Sequence, residues 1–396
     1  MTDIAANSEA EVVEAVRVAR EWKSPLNIVG AGTKRNLGRA TASWGSVLDL
    51  SGLKGIVAYE PEELILTVQP GTPVAEIEAL LAAKNQRLGF DPADWGPMLG
   101  SKPNVATIGG VMAADACDAA AVRFGRARDH LLGFRAVNGL GEAYKAGGKV
   151  VKNVTGFDLP KLMCGAFGTL GPMTELTLRL VPKAKFSTVL AVRDVSPVDG
   201  LALLRCAWAS PLDATGLAYV PGVAVKTFPE AGDIGKGVAL IHLEGAAEPL
   251  REKVAALRAL FGKCDLHDIA DGDAIFRKIG DGAAFTDADV WRVVIPPASA
   301  ARCISEISPQ LWLADWAGGA LWVGVDANDN AASERLREAA MRADGHATLM
   351  RASAETRARV PVFQPLSADM LALTRSVKNA FDPLGLFNPG RMYEGV

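Results

Sequence analysis

The stretch of sequence that decides the fold is Gly147–Pro182, GGKVVKNVTGFDLPKLMCGAFGTLGPMTELTLRLVP, in which glycines separate very short elements. Asp158 can cap a helix whose first turn tolerates Pro160, so we predict a helix here that ends at Gly165. Apolar and polar residues alternate over Leu176–Leu180, which predicts a half-buried strand. Between helix and strand, GAFGTLG lets the backbone approach a flat or anionic ligand closely, because glycine has no Cβ atom. The alternative is a tight structural crossover that needs glycine for packing alone.

Length and composition place the chain among two-domain globular proteins. It has 396 residues, of which 49% are hydrophobic and 22% charged, and this composition is typical of soluble proteins. The net charge of −3 gives no reason to expect a nucleic acid or an anionic membrane surface as a partner. The sequence has no apolar run of the ~20 residues that a transmembrane helix needs, and it starts with an acidic rather than a basic segment. We therefore expect a cytoplasmic protein.

Cysteine and histidine are scattered along the chain. The five cysteines form no CxxC pair, and the four histidines form no HxxxH or HExxH spacing. This pattern predicts reduced thiols and no self-contained iron–sulfur cluster or zinc site. A metal site built from distant residues stays open as an alternative, but we predict no metal.

The first half of the chain reads as alternating helices and strands. Ser8 and Glu11 form a capping-box pattern before an amphipathic helix. Further predicted elements are strands at Leu26–Val29, Ile56–Tyr59, Leu64–Gln69 and Arg87–Phe90 and a helix at Val74–Lys84. The loop-rich stretch 91–121 follows, and a long loop inside a compact domain is usually functional.

After Pro182 the glycine-rich loops stop and strands alternate with helices. Predicted strands lie at Val189–Val192, Gly237–Glu244, Trp291–Ile295 and Ala320–Val325, and predicted helices at Leu201–Ser210, Leu250–Phe261, Ala300–Ser308 and Ala331–Ala343. Two rounds of strand–helix–strand predict an antiparallel sheet with helices on one face, an α+β arrangement. An amphipathic helix at Ser367–Phe381 precedes the tail DPLGLFNPGRM.

Three further glycine-rich pieces precede the opening stretch. Gly30–Asn36, GAGTKRN, follows a strand and offers backbone N–H groups and two cations to a pyrophosphate. The same residues begin a GxGxxG dinucleotide motif, but Arg35 replaces its third glycine, which weakens that alternative. Pro70–Thr72 reads alone as a turn. Thr107–Gly110, TIGG, allows close approach of a planar ring or the start of a packed helix.

In this order, the four pieces resemble the FAD-binding domain of the vanillyl-alcohol-oxidase (PCMH) type, over roughly residues 24–182 plus the FNPG tail. The strings VRFGRARDHLLGFRAVNGLGE and YKAGGKVVKNVTGFDLPKLM are similar to the FAD-binding subunit of bacterial glycolate oxidase. This resemblance implies an α+β fold with an FAD-binding domain at 1–184, an α+β cap at 185–355 and a returning helix and tail at 356–396.

The resemblance also implies which residues bind FAD. By this correspondence, Gly30, Ala31, Gly32, Thr33, Lys34 and Arg35 hold the pyrophosphate beside the Pro70–Gly71 turn, Thr107, Gly109, Gly110 and Ala113 follow the flavin, Gly165, Gly168, Thr169 and Gly171 flank the adenine half, and Asn388 and Arg391 close the site.

Two departures from the family pattern bear on chemistry. Members with covalently attached flavin carry His where this chain has Thr33, so non-covalent FAD is expected. The histidine-rich substrate and metal motif of related hydroxy-acid dehydrogenases is reduced here to His346, so the catalytic residues stay unknown. His130 reads as a structural contact, Asp158 as a helix cap, and Lys149 and Lys152 as exposed or cofactor-side charges. Arg123, Arg126 and Arg128 could bind substrate, FAD phosphate or a subunit, although a solvated face is the simplest interpretation.

The resemblance predicts a flavoprotein subunit that takes part in oxidising glycolate or a related 2-hydroxy acid. Its expected partners are a second FAD-containing catalytic subunit and an iron–sulfur subunit, and the complex could place the chain on the inner face of the membrane. One alternative is a self-sufficient FAD-linked dehydrogenase of the D-lactate type. Another is a flavin-bearing assembly subunit without chemistry of its own.

Overall fold

The structure is a computed structural model that describes residues 3–40, 45–117, 119–149, 156–232, 235–262, 264–327, 329 and 331–396. The chain divides into two compact units. Unit 1 comprises Met1–Cys117, Gly125–Lys183 and Arg357–Val396, and unit 2 comprises Asp118–Phe124 and Ala184–Thr356. Lys152, which the sequence suggested as a cofactor-side charge, lies outside the described residues.

Unit 1 begins with a small parallel sheet and one helix. The elements are β1 (Ile4–Ala5), α1 (Glu9–Glu21), β2 (Leu26–Val29) and β3 (Ser46–Asp49), with strand order β1-β3-β2. The Ser8 hydroxyl accepts a hydrogen bond from the Glu11 N–H at 3.3 Å, as the capping pattern predicts. Val12, Ala15, Val16 and Ala19 form the buried stripe of α1, and they share a core cluster with Phe387 of the tail.

A larger antiparallel sheet completes the first part of unit 1. In chain order, the elements of this part of the chain are β4 (Ile56–Glu60), β5 (Ile65–Val68), α2 (Val74–Ala82), β6 (Gln86–Leu88), α3 (Ile108–Ala114), α4 (Ala121–Phe124, in unit 2), β7 (Leu131–Val137), β8 (Ala143–Gly147), α5 (Leu159–Met163) and β9 (Met173–Pro182). The strand order is β4-β5-β9-β7-β8, and β6 also pairs with β9. The predicted alternation places Leu176, Leu178 and Leu180 of β9 in the core.

Unit 2 holds an antiparallel sheet built from two copies of one motif. Its elements are β10 (Phe186–Arg193), α6 (Pro197–Trp208), β11 (Gly216–Pro221), β12 (Gly237–Gly245), α7 (Ala247–Phe261), β13 (Leu266–Ile269), α8 (Gly272–Gly280), β14 (Asp289–Val294), α9 (Ala300–Ile307), β15 (Leu311–Asp315), β16 (Ala320–Val325), α10 (Ala332–Met341) and β17 (His346–Arg351). The strand order is β13-β10-β12-β11-β15-β16-β14-β17, so two β-α-β-β-α-β motifs meet where β11 pairs with β15.

The expectation of helices on one face of this sheet leaves out α8, which follows the first motif and was not among the predicted helices. Gly200 of α6 lies against Tyr219, whereas Gly272 of α8 lies against Val189. Val189 pairs with His242, which in turn pairs with Gly216, three positions before Tyr219. Because side chains alternate between faces along a strand, α6 and α8 cover opposite faces. Among the strands that the prediction missed here, β11 is a short apolar run without alternation.

The chain ends in unit 1. After α11 (Ala354–Arg359) comes α12 (Ala368–Phe381), whose N-cap Ser367 accepts a hydrogen bond from the Met370 N–H at 3.3 Å. The tail then returns to the small sheet, where Leu26 bridges Phe387 in parallel. None of the helices in the described ranges combines the length and apolarity needed to cross a bilayer.

Candidate functional site

Unit 1 contains a cleft that encloses about 760 Å³ of empty space, part of it open to solvent. The cleft is lined by Ile28, Val29, Gly30, Ala31, Gly32, Thr33, Lys34, Arg35, Leu50, Pro70, Thr107, Gly109, Gly110, Ala113, Ala114, Phe167, Gly168, Gly171, Pro172, Met173 and Arg391. Four stretches that are distant in sequence therefore meet around one space. All the predicted cofactor residues line it except Gly71, Gly165, Thr169 and Asn388.

Two glycines allow the start of α3 to pack closely against the Gly30–Asn36 loop and the Pro70 turn. Thr107 caps α3 and accepts a hydrogen bond from the Gly110 N–H at 3.4 Å. A Cβ atom on Gly30 would lie 2.4 Å from the Thr107 hydroxyl oxygen, and one on Gly109 would lie 2.6 Å from the Pro70 Cβ. Only glycine fits at these two positions, and here its role is close packing of the cleft walls.

Gly110 differs from those two glycines. A Cβ atom on Gly110 would meet only the Thr107 hydroxyl oxygen, at 3.3 Å, and otherwise open space. Because Gly110 also lines the cleft, a larger side chain there would occupy the space of a ligand with little cost to the fold. Gly168 is less simple, because its φ of +72° favours glycine and its Cβ would lie 2.7 Å from the Asn388 amide nitrogen.

One end of the cleft is strongly basic. Lys34, Arg35 and Arg391 line it, and the described lining includes no carboxylate. Arg391 donates to the Lys34 carbonyl oxygen at 2.7 Å, but its Nε is buried without a hydrogen-bond partner. Burial, together with the positive charges of Arg357 and Arg35, lowers the pKa of Arg391 to about 10. Clustered cations with a spare donor fit an anion, and the diphosphate of FAD is such a group.

The C-terminal tail holds the cleft wall in place through two polar side chains. Asn388 accepts a hydrogen bond from the Ile28 N–H at 2.8 Å and donates to the Phe167 carbonyl at 2.7 Å. It thereby links β2 to the GAFGTLG loop. Asn388 is itself buried and does not line the cleft, so it positions the wall rather than contacting the ligand.

Lys378 makes the second link. Its ammonium donates to the carbonyl oxygens of Thr169 at 2.6 Å and Phe387 at 2.8 Å and forms an ion pair with Asp382 at 2.6 Å. Asp382 also accepts hydrogen bonds from the N–H groups of Leu386 and Phe387. Both charged side chains are almost completely buried, and burial lowers the pKa of Lys378 against the opposing effect of Asp382. We call this pair the tail latch.

The other predicted residues outside the cleft serve packing. Gly71 donates to the Leu53 carbonyl, and a Cβ there would lie 2.3 Å from the Leu50 carbonyl oxygen. Thr169 donates its hydroxyl to the Ala166 carbonyl at 2.7 Å. Gly165 has a φ of +81°, and a Cβ on it would contact Asp115. Each of these residues holds a loop in the shape that brings adjacent residues to the cleft.

Sequence reasoning missed the apolar part of the lining. Ile28, Leu50, Phe167 and Met173 form it, and they supply the contact area that a flat ring needs. Phe167 lies within the quoted GAFGTLG run, and its φ of +52° is unusual for a bulky residue. That residue is therefore held in place by its surroundings.

The other singled-out charges lie outside the cleft. His130 is fully buried beside Phe90, with ring centroids 5.9 Å apart. Arg126 pairs with the buried Asp115 at 2.8 Å, so it is not simply a solvated charge. In unit 2, Arg123 pairs with Asp213 at 3.3 Å. Asp158 caps α5 by accepting from the Lys161 N–H, and exposed Lys149 pairs with Glu60.

The cleft carries cations and hydroxyls but few reactive groups. Among the described residues that line it, none is Asp, Glu, His, Cys or Tyr. Thr33 is buried, and its hydroxyl accepts a hydrogen bond from the Lys34 ammonium at 3.4 Å. Within the described ranges, no group of three or more His, Cys, Asp or Glu is placed to hold a metal ion. The described part of the lining thus offers binding groups for a cofactor but none of the carboxylate, imidazole, thiol or phenol groups that commonly act as general bases.

Comparison with known proteins agrees with this geometry. Residues 3–147 match the FAD binding domain family, and residues 361–392 match the C-terminal domain of FAD linked oxidases. The fold is shared with p-cresol methylhydroxylase (TM-score 0.71, 16% identity, 98% of this chain and 87% of that one). It is also shared with alkyldihydroxyacetonephosphate synthase (TM-score 0.68, 16% identity, 97% and 75%). Fold and cleft define an FAD-binding protein of the PCMH type, and the partial GxGxxG motif does not mark a dinucleotide fold.

Among curated proteins, the glycolate oxidase subunit GlcE of Escherichia coli K12 is 31% identical over 96% of both chains. The glycolate oxidase subunit GlcD of Bacillus subtilis is 26% identical over 79% of this chain and 63% of its own length. A D-lactate dehydrogenase of Anaerostipes hadrus is 32% identical over 46% of this chain and 36% of its own. The chain belongs to the GlcE family of FAD-linked oxidoreductase subunits.

Proposed function

We propose that this chain is the non-covalent FAD-binding subunit of a complex that oxidises glycolate or a related 2-hydroxy acid and that its electrons leave through partner chains. One observation carries the proposal. A cleft with a basic end and glycine-built walls has, among its described lining residues, no Asp, Glu, His, Cys or Tyr that could act as a general base or attach a flavin. Family membership with GlcE supports the substrate class.

The residues present fit FAD. Lys34, Arg35 and Arg391 would hold the diphosphate, because all three cationic residues line the same cleft and its described lining includes no carboxylate that would repel the phosphates. Gly109, Gly110 and the apolar lining would accept the flat ring. When bound, FAD supplies an acceptor for the two electrons that are lost when a hydroxyl becomes a carbonyl.

The chain's own residues bind and orient. Asn388 and the tail latch fix the loop that carries Phe167 and Gly168, and Thr107 fixes the start of α3. Oxidation of a 2-hydroxy acid to a 2-oxo acid also releases two protons, so a base is required. Because the described cleft lining includes no carboxylate, imidazole, thiol or phenol group, we assign that step to residues outside the lining, with a second flavin subunit as the proposed source.

Membership of such a complex leads to two further proposals, one on an electron-accepting partner and one on location. An iron–sulfur subunit would accept the electrons, and association with the inner face of the membrane would occur through the complex. A self-sufficient dehydrogenase is the second candidate, supported by the partial similarity to a D-lactate dehydrogenase.

The test is steady-state oxidation of glycolate and D-lactate with an artificial acceptor. It should be measured on the purified chain alone and after co-expression with the two partner chains. We expect turnover only with partners. Turnover by the single chain in the ordinary enzyme range of ~1–10³ per second would support the self-sufficient dehydrogenase instead. Full activity of the partner complex when this chain carries no FAD would favour an assembly role.

A further inference from the structure

A second concave surface lies in unit 1, on the C-terminal part of the chain. It encloses about 840 Å³, part of it open to solvent. We call it the arginine groove, and it is lined by Arg39, Ala358, Arg359, Val360, Pro361, Val362, Phe363, Pro365, Leu366, Leu371, Arg375, Met392, Tyr393 and Glu394. An apolar floor with a few charged groups is the usual composition of a binding site.

The rim of the groove carries an excess of positive charge. Arg39 and Arg375 donate to the backbone carbonyls of Gly390 at 3.3 Å and Glu394 at 3.0 Å. A carbonyl group carries no net charge, so both guanidinium charges remain unneutralised. Arg359 is exposed, and none of the three arginines forms an ion pair with a carboxylate of the described residues. Against these three cations the described lining of the groove offers one carboxylate, that of Glu394, although the whole chain has a net charge of −3.

Aromatic rings connect the floor of the groove to the cofactor cleft. Phe167 lines the cleft, and its ring centroid lies 5.1 Å from that of Phe363. Phe363 lies 5.8 Å from Tyr393, and both of these residues line the groove. The Tyr393 hydroxyl donates to the Gln364 carbonyl at 3.2 Å, which fixes the ring in the floor. A single ring contact, that between Phe167 and Phe363, therefore separates the groove from the wall of the cleft.

We propose that the arginine groove docks an acidic segment with apolar side chains that belongs to the electron-accepting partner protein. This inference rests on the proposed function. Three unneutralised cations around an apolar floor are complementary to carboxylates that flank apolar side chains. A partner that takes electrons from the cofactor must also dock near the cleft, and the chain Phe167–Phe363–Tyr393 links the cleft wall to this groove.

The experiment measures binding of the partner chains to the FAD-loaded full chain. Wild type, Arg359→Glu and the matched charge reversal Arg251→Glu are compared by titration calorimetry at 20 mM and 500 mM salt. Arg251 is 76% exposed on α7 in unit 2, where it contacts Glu248. We expect Arg359→Glu to weaken binding about tenfold or more at low salt, because a like charge would face the acidic segment. The difference should shrink at high salt, where exposed charges are screened. Arg251→Glu should bind as wild type does.

Any other result of this experiment would contradict either the groove or the proposed function. Equal binding by wild type and Arg359→Glu would refute the groove while leaving the proposed function intact. No binding by wild type would contradict the proposed function as well. Sedimentation of the chain alone tests a second copy as occupant, and flotation with phosphatidylglycerol vesicles tests a membrane. If Arg359→Glu abolished self-association or vesicle binding but left partner binding unchanged, the groove would bind a second copy or a membrane instead of the partner segment.

Discussion

Replacing Lys378 with Met tests whether the tail latch supports unit 1. Lys378 and Asp382 are 3% and 0% exposed, and the ammonium contacts three oxygen atoms. Met retains the length of the side chain but leaves the Asp382 carboxylate buried without its cation. Breaking a buried ion pair in this way costs about 3–5 kcal/mol, which is a large part of the ~5–15 kcal/mol that stabilises a typical protein. We expect the free energy of unfolding of unit 1 to fall by that amount and FAD to bind more weakly.

Urea unfolding measures the stability change, and FAD titration measures the binding change. Lys161→Met is the matched control, because Lys161 pairs with Asp158 at 3.6 Å while both side chains are about half exposed; it should cost less than about 1 kcal/mol. The double variant Lys378→Met with Asp382→Leu should be less harmful than the sum of its single changes, which would reveal coupling. A Lys378→Met protein within about 1 kcal/mol of wild type would refute the assignment of the latch.

Three further predictions follow from the site and from unit 2. Acid precipitation should release all the flavin into the supernatant, because Thr33 and the described cleft lining offer no histidine, cysteine or tyrosine for attachment; flavin in the pellet would contradict this. Arg391→Gln should weaken FAD binding by roughly 1.5–3 kcal/mol, as expected for the loss of a charge-assisted hydrogen bond, and it should not weaken riboflavin binding; equal losses for both ligands would remove Arg391 from the diphosphate. Burial raises the pKa of Asp315 to about 7 from an ordinary 3.8. The protonated carboxyl therefore stabilises the folded state fully below about pH 4, and this stabilisation is lost as pH rises towards 7. Asp315→Asn should therefore flatten the pH dependence of urea unfolding by about 2 kcal/mol between pH 5 and 8, and an unchanged slope would contradict that pKa.

The sequence predicted the parts of the molecule that glycine and capping residues mark. GAGTKRN, TIGG and GAFGTLG were recognisable because each bears backbone that approaches another segment closely, and the structure brings all three to one cleft. Ser8 marked the start of α1 for the same local reason.

What the sequence could not show depends on contacts between distant residues. A lysine is rarely buried, so nothing in the sequence marked Lys378 as a core residue beyond its i,i+4 spacing to Asp382. β11 and β15 are continuous apolar runs that periodicity cannot distinguish from buried helix. The chain of rings from Phe167 to Tyr393 joins residues over two hundred positions apart, and no local pattern contains it.

The most direct test of the account is the FAD content and affinity of the isolated chain against those of Gly110→Val. A branched side chain at Gly110 would enter the cleft, where its Cβ meets only the Thr107 hydroxyl oxygen at 3.3 Å, so the fold should survive although valine costs slightly in helix propensity. Gly168→Val is a poorer probe, because it would also strain the backbone. We predict one FAD per wild-type chain and none in Gly110→Val, with unchanged circular dichroism. A folded Gly110→Val protein that retains full FAD occupancy would show that the cofactor lies elsewhere.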